Sequence, residues 1–278
     1  MKTLSFVFSF ERSRKIAHAD KFPLALRSGI IYNVPMSELT VLKALILAGC
    51  GSRRAMAEAI KHGRVDINGV PVASFKQEID GARDMLTLDG KPIKIRLEER
   101  VYLMLNKPAG VLSTTRDERG RRTVIDLLPP TYKNRSLHPV GRLDMDSTGL
   151  LLLTDDGALT YRLTHPNFEK EKEYVVTLDR ELQPRDKSSF EQGLELEDGL
   201  TWPAIVREGP TERKTYYVIL HEGRKRQLRR MFASLGYRVI GLKRIRMGNL
   251  LLGELPQGKI RVLAKTEVAA LLLSKPAA

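Results

Sequence analysis

One cysteine, Cys50, stands in a chain of 278 residues, so neither an internal disulfide nor a cysteine-rich zinc cage can be built. The five histidines, His18, His62, His138, His165 and His221, keep no HxxxH or HxH spacing and have no carboxylate cluster beside them, which removes the usual frame of a metal site. Apolar runs are short. The longest candidate, Val41 to Ala48, is broken by Lys43 and falls far below the roughly 18 residues of a membrane span. There is no GxxxxGK(S/T) phosphate loop and no GxSxG elbow, so nucleotide hydrolysis and ordinary serine esterase chemistry lose their supports. Gly49-Cys50-Gly51 does not begin a dinucleotide loop, because it follows a helical pattern and Arg54 stands where the third glycine belongs. These absences fit a protein of the reducing cytoplasm with no membrane segment.

What the chain has in excess is positive charge. Its 47 Lys and Arg outweigh 33 Asp and Glu by 14, which makes a polyanion the expected partner. The excess is uneven: eleven basic residues fall between Arg213 and Arg246 against one acidic residue, Glu222. Such clustering on one helix and its flanks favours phosphate binding over a merely solvated surface. With 42% hydrophobic and 29% charged residues the composition is that of a globular protein, and a prior of about one domain per 150 residues gives two.

Residues 1–34 read as a flexible basic tail, or as an artefact of start-site assignment, since Met36 precedes the first well-patterned helix. Leu4 to Phe10 is too short, and too interrupted by Ser5 and Ser9, for a signal peptide. From 35 to 95 a compact module is expected. Ser37 can cap a helix carrying Leu39, Leu42, Leu45 and Ile46, ended by Gly49 and Gly51. Ser52 can cap a second helix through Ile60, with Gly63 after its end. Arg64 to Ile67 and Val70 to Val72 read as strands joined by Asn68-Gly69, and Met85 to Leu88 and Lys91 to Ile95 as strands joined by Asp89-Gly90.

This module resembles the alpha-L RNA-binding motif named for ribosomal protein S-four, through Leu42-Lys43, Ala48-Gly49, Gly51-Ser52-Arg53-Arg54, Gly63-Arg64-Val65 and Asn68-Gly69. The resemblance implies that Arg53, Arg54, Lys61 and Arg64 face RNA phosphates. Val41 departs from the family, which usually opens its first helix with a basic residue.

A linker, 96–100, leads to a larger α+β domain, 101–270, with 271–278 as a tail. Val101 to Leu105 reads as a buried strand stopped by Asn106-Lys107-Pro108, and Leu150 to Leu153 as a second strand closed by Asp155-Asp156-Gly157. Tyr174 to Leu178 and Lys214 to Leu220 are further strands. Arg224 to Leu235 is a helix with Leu228, Met231, Phe232 and Leu235 on one face and Gly236 after its end. The polar, glycine-bounded segment from Gly141 to Gly149 feeds a run of four leucines, a loop well placed to carry a site. Asp144 and Asp146 are both candidates on composition.

Here a second resemblance is specific. His138-Pro139-Val140-Gly141-Arg142-Leu143-Asp144, Ser147-Thr148-Gly149-Leu150-Leu151-Leu152-Leu153-Thr154 and Asp156-Gly157 are similar to the signature of the ribosomal RNA pseudouridine synthases that carry an alpha-L domain. Leu105 to Val111, Glu171 to Tyr174 and Glu222 to Met231 follow in the family's order, so the match spans about residues 37 to 255. The resemblance implies a mainly antiparallel mixed sheet and a reaction without cofactor: the bond from ring nitrogen to ribose is cut, the uracil turns, and carbon 5 joins the anomeric carbon. It implies that Asp144 is the catalytic aspartate, a carboxylate suited to a glycosyl centre developing positive charge. Tyr174 would pack on the uracil, Arg229 would pair with that aspartate, and Leu228 would line the base pocket. Arg142 and Lys107 would touch RNA phosphates or brace the loop, and Arg224, Lys225 and Arg226 would bind RNA. The expected partner is ribosomal RNA, of the large subunit by the runs Ala48 to Arg54 and Gly223 to Gln227, and the protein is expected to be a monomer. Two alternatives stand beside this: a non-catalytic ribosome-assembly factor, and a synthase acting on small-subunit RNA.

Overall fold

In a computed structural model of the chain, residues 39–81, 83–94, 100–209 and 214–272 are described. The tail 1–34, Ser37, linker residues 96–99 and residues 273–278 lie outside them.

Two helices and a small sheet follow one another at the N-terminal side. Helix α1 (Val41–Leu47) buries Val41, Leu42, Ala44 and Leu45. It starts later than its apolar pattern suggests. The Leu39 carbonyl accepts Ile79 N–H at 2.8 Å and Thr40 bridges Glu78, so this stretch is extended and Thr40 takes the N-cap position. Helix α2 (Arg53–Lys61) is capped as expected, the Ser52 hydroxyl accepting Ala55 N–H at 3.2 Å. Strands β1 (Val65–Ile67), β2 (Val70–Pro71), β3 (Leu86–Leu88) and β4 (Lys91–Ile93) form a sheet in the order β2-β1-β3-β4. Both two-residue turns hold positive φ at each centre, 53° and 81° at Asn68-Gly69 and 52° and 73° at Asp89-Gly90, the geometry that matches the strand twist. Leu45, Met56, Ile60, Val65 and Leu86 pack into this module's own core.

The larger part is built on one sheet. In chain order come β5 (Tyr102–Lys107), β6 (His138–Val140), β7 (Thr148–Thr154), α3 (Gly157–Thr164), β8 (Lys172–Leu178), α4 (Pro184–Gln192), β9 (Glu195–Leu196), β10 (Gly199–Leu200), β11 (Ile205–Glu208), β12 (Thr215–Leu220), α5 (Gln227–Ser234), β13 (Val239–Met247), β14 (Leu250–Leu251), β15 (Ile260–Val262) and α6 (Lys265–Leu272). The order across the sheet is β11-β12-β8-β13-β7-β5-β15, with β14 on β13 and β6 on β7. Every strand pairing of this sheet is antiparallel except β13 with β7. The expected α+β class with a mainly antiparallel sheet is what forms.

The leucine run of β7 has a simple cause: both faces of this strand are covered, so no position can alternate to polar. Leu151 and Leu153 enter a core with Phe190 of α4 and Leu228, Met231 and Phe232 of α5. Leu150 and Leu152 enter the opposite one with Leu159 and Leu163 of α3 and Leu271 of α6. Each such aliphatic side chain contributes about 1.5–3 kcal/mol of gross burial energy.

Two of the boundaries that differ from the sequence pattern bear on the site. Strand β5 does not stop before Asn106-Lys107 but carries both, because their polar ends find partners. Asn106 Nδ2 donates to Leu255 O at 2.7 Å, and the Lys107 bonds are given below. Helix α5 begins at Gln227, since Arg226 at the N-cap has φ 50° and ψ 33°. Arg224 and Lys225 therefore precede the helix.

Candidate active site

The strand registers line up one row across the sheet. Lys107 on β5 is opposite Gly149 on β7, Gly149 opposite Arg244 on β13, Arg244 opposite Tyr174 on β8 and Tyr174 opposite Val218 on β12. Residues directly opposite in a sheet share a face, here the face covered by α5. The loop bearing Asp144 delivers its chain into this row at Gly149. A side chain is excluded there, since a Cβ on Gly149 would run into the Arg244 carbonyl oxygen and nitrogen.

The loop is fastened from below. Lys107, wholly buried, donates from Nζ to Pro108 O at 2.9 Å, Ser147 O at 2.8 Å and Met145 O at 3.4 Å. Gly110 N–H donates to Met145 O at 2.8 Å. The Ser113 hydroxyl donates to Leu143 O at 2.8 Å and accepts from Leu143 N–H at 3.1 Å. Leu143 and Tyr174 are buried in the same core as Leu228. The Asp144 carboxylate, half-buried, forms no ion pair or hydrogen bond with a described side chain.

Its neighbour Asp146 is engaged instead. Arg229 reaches the Asp146 carboxylate at 3.2 Å and its carbonyl at 3.4 Å while donating to Val239 O at 3.0 Å. Arg226 meets the same carboxylate at 3.3 Å. The expected pairing of Arg229 with Asp144 is therefore not the one present. The bond to Val239 fixes the guanidinium at the β13 side, from which it reaches the loop at Asp146.

Comparison with known proteins decides what this arrangement belongs to. The family described as RNA pseudouridylate synthase matches residues 101–234. Over 236 residues the chain is 39% identical to ribosomal large subunit pseudouridine synthase B of Bacillus subtilis (strain 168), spanning 82% of this chain and 93% of that protein. The protein of the same description in Vibrio vulnificus (strain CMCP6) is 39% identical over 222 residues, 78% of this chain and 69% of that one. A crystal structure of a pseudouridylate synthase superposes with a TM-score of 0.60 at 33% identity, covering 84% of this chain and 99% of that one. The chain belongs to the RNA pseudouridylate synthase family.

In this pseudouridine synthase the buried lysine has a measurable signature. Burial pulls the Lys107 ammonium down to about 8, partly opposed by the charges of Asp146 and Asp144. Between that value and the ordinary lysine value of about 10.4 the unfolded chain holds more protons, so this residue's burial cost is relieved as pH rises. Lys107→Met keeps the stem and removes the donors. It is expected to lower kcat by about tenfold or more through a displaced loop. In thermal melts at about pH 7.5 and about pH 9.5, the midpoint of wild type should rise relative to the variant at the higher pH. A constant difference would show that the ammonium is not held in this buried form.

Pattern reading missed one residue of the row, Arg244. Only 2% exposed, it donates from Nε to Leu150 O at 2.7 Å, and its Nη2 has no hydrogen-bond partner among the described residues. Beside it Lys172 is drawn down to about 8 by burial and by the Arg244 charge, against the pull of Glu222.

The basic stretch from Arg213 to Arg246 is not one cationic surface. Arg224 is engaged within the fold, bonding Gly199 O at 2.8 Å, Leu200 O at 2.5 Å, Glu222 at 3.1 Å and Asp198 at 3.4 Å. Arg230 clasps Asp198 through both nitrogens at 2.8 and 2.9 Å, and Arg246 pairs with Glu171 and Glu173. Lys225, Arg226 and, on the loop, Arg142 are exposed. In the N-terminal module Arg53, Arg54 and Lys61 are exposed, whereas Arg64 is held by Asp89 at 2.7 and 2.5 Å.

Proposed function

We propose that this synthase converts a uridine of large-subunit ribosomal RNA to pseudouridine, with Asp144 acting at the sugar. The observation that carries the substrate is the 39% identity, over 82% of the chain, to a relative named for the large subunit. The site supports the chemistry. A carboxylate without a described partner can stabilise or capture the anomeric carbon as its bond to ring nitrogen breaks. The uracil turns on Tyr174 within a pocket bounded by Leu228, the C5–C1′ bond forms, the C5 proton leaves and the ring nitrogen gains one. Arg229 and Arg226 act through Asp146, holding the far side of the same loop. The target base must leave any stack before it can turn.

Exposed Arg53, Arg54 and Lys61 would grip the surrounding RNA through phosphates, as the alpha-L resemblance implies. Reversing Arg53 and Arg54 to glutamate is expected to weaken binding to structured RNA and to flatten the log–log salt slope by about 0.7 to 0.9 for each phosphate no longer neutralised. Turnover on a saturating short substrate should change less. A slope equal to that of wild type would place both side chains in plain solvent.

The substrate is tested by treating RNA from deleted and complemented cells with a pseudouridine-specific carbodiimide and mapping reverse-transcription stops. A stop in large-subunit RNA that returns on complementation is the expected result. A stop that returns only in small-subunit RNA would overturn the substrate and leave the chemistry standing.

A further inference from the structure

Trp202 is the chain's one tryptophan. It stands 40% exposed two residues beyond Leu200, which is 57% exposed. Isolated apolar side chains at a surface are ordinary, but this stretch is fastened from several directions. Arg230 of α5 clasps Asp198 in the turn between β9 and β10, and Arg224 donates to the carbonyls of Gly199 and Leu200. The Trp202 N–H donates to Glu222 Oε1 at 3.1 Å, and the same carboxylate accepts from Gln227 Nε2 at 2.5 Å and from Arg224 Nε at 3.1 Å. Ala204 and Val206, next along the chain, are buried in the core shared with Leu228 and Phe232 of α5.

The segment that anchors Trp202 also touches the catalytic loop, because Arg226, directly before α5, meets the Asp146 carboxylate at 3.3 Å. Lys225 and Arg226 on this segment are exposed. Across the sheet Tyr174 is opposite Val218, and Val218 is opposite Val206. Two strand spacings and four residues of rise place the Trp202 backbone about 16 Å from that of Tyr174, a reach of a few nucleotides. A fixed indole anchored beside exposed cations is the combination with which proteins hold single-stranded RNA, the ring stacking on a base and the cations following the backbone.

We infer that Trp202 is a stacking platform for an unpaired nucleobase that flanks the target uridine in the substrate RNA, with Lys225 at the neighbouring phosphate. The inference rests on RNA being the substrate, but not on which ribosomal subunit supplies it. Because the hairpin is already fastened, little ordering of the protein accompanies the contact. The platform holds the strand alongside the site and takes no part in bond breaking.

The test uses the full chain and whichever RNA the wild type modifies, so a small-subunit substrate would revise the previous proposal without touching this one. With no other tryptophan in the chain, indole fluorescence reports on this position alone, and saturating substrate RNA should quench it. Trp202→Leu should raise KM by about five- to a hundredfold and keep kcat within about twofold, which also shows that the variant folds. Its salt slope should equal that of wild type, since every phosphate-binding cation stays in place. Trp202→Phe, which retains a ring, should recover most of the KM. Abasic sugars placed one at a time at unpaired nucleotides flanking the target should reveal a position where losing the base weakens wild type as Trp202→Leu does. The same abasic sugar should cost the leucine variant nothing further. An unchanged KM in Trp202→Leu, no quench by bound RNA, or no abasic position coupled to Trp202 would overturn the inference. So would a leucine variant that loses only binding to a protein.

Discussion

Asp144→Asn and Asp144→Ala are expected to lower pseudouridine formation by about 10⁴-fold or more, the scale on which loss of a reacting group is felt, while RNA affinity stays within about threefold. The two halves of this result have separate causes. The Asp144 carboxylate has no described ionic partner, so removing it breaks nothing that holds the fold. Affinity comes largely from phosphate contacts, which lie elsewhere. Asp146 cannot substitute, being held by Arg226 and Arg229. Substantial turnover by both variants would remove Asp144 from the mechanism and promote Asp146, and Asp146→Asn would then be the inactive protein.

Gly149→Ala should be among the most damaging single methyl additions in the protein. The position has φ 102° and a Cβ there collides with the backbone of Arg244, not with a movable side chain. Relief requires β7 and β13 to part at a pairing that consists of Lys243 with Thr148 and Arg244 with Gly149, which also breaks the row from Lys107 to Tyr174. The expected loss is about 4 kcal/mol or more, roughly a 10 °C fall in the thermal midpoint for a chain of this size. Gly90→Ala provides the comparison: φ is 73° but no atom lies within 4 Å of the added methyl, so only the left-handed backbone term of about 1–2 kcal/mol applies. Equal losses at the two positions would mean that the close approach of β7 and β13 is not as described.

Much of this was legible in the chain because it is written in local chemistry. Asn68-Gly69 and Asp89-Gly90 specify their turns by requiring positive φ, and Ser52 declares the start of α2. The four leucines after Gly149 mark a strand buried on both faces. The motif from His138 to Thr154 located the loop and its aspartates. What stayed hidden depends on partners distant in sequence. Arg224 and Arg230 count as free charge until Asp198 folds back on them. Arg244 looks like one more member of a basic run, although its stem lies in the interior and its neighbours are Gly149 and Tyr174. Nothing in the local pattern shows that Arg226 leaves helical backbone and thereby shortens α5. The choice Arg229 makes between two aspartates two residues apart is likewise a matter of tertiary reach.

The central claim is that this fold carries out uridine isomerisation through Asp144, and the exchange of the C5 hydrogen reports it directly. Large-subunit RNA transcribed with tritium at carbon 5 of uridine should release tritium to water with wild type, one equivalent for each pseudouridine formed. Asp144→Ala, folded and bound to the same RNA, should release none above background. Release by the alanine variant at the wild-type rate, or no release by wild type from any ribosomal RNA that it binds, would contradict the account.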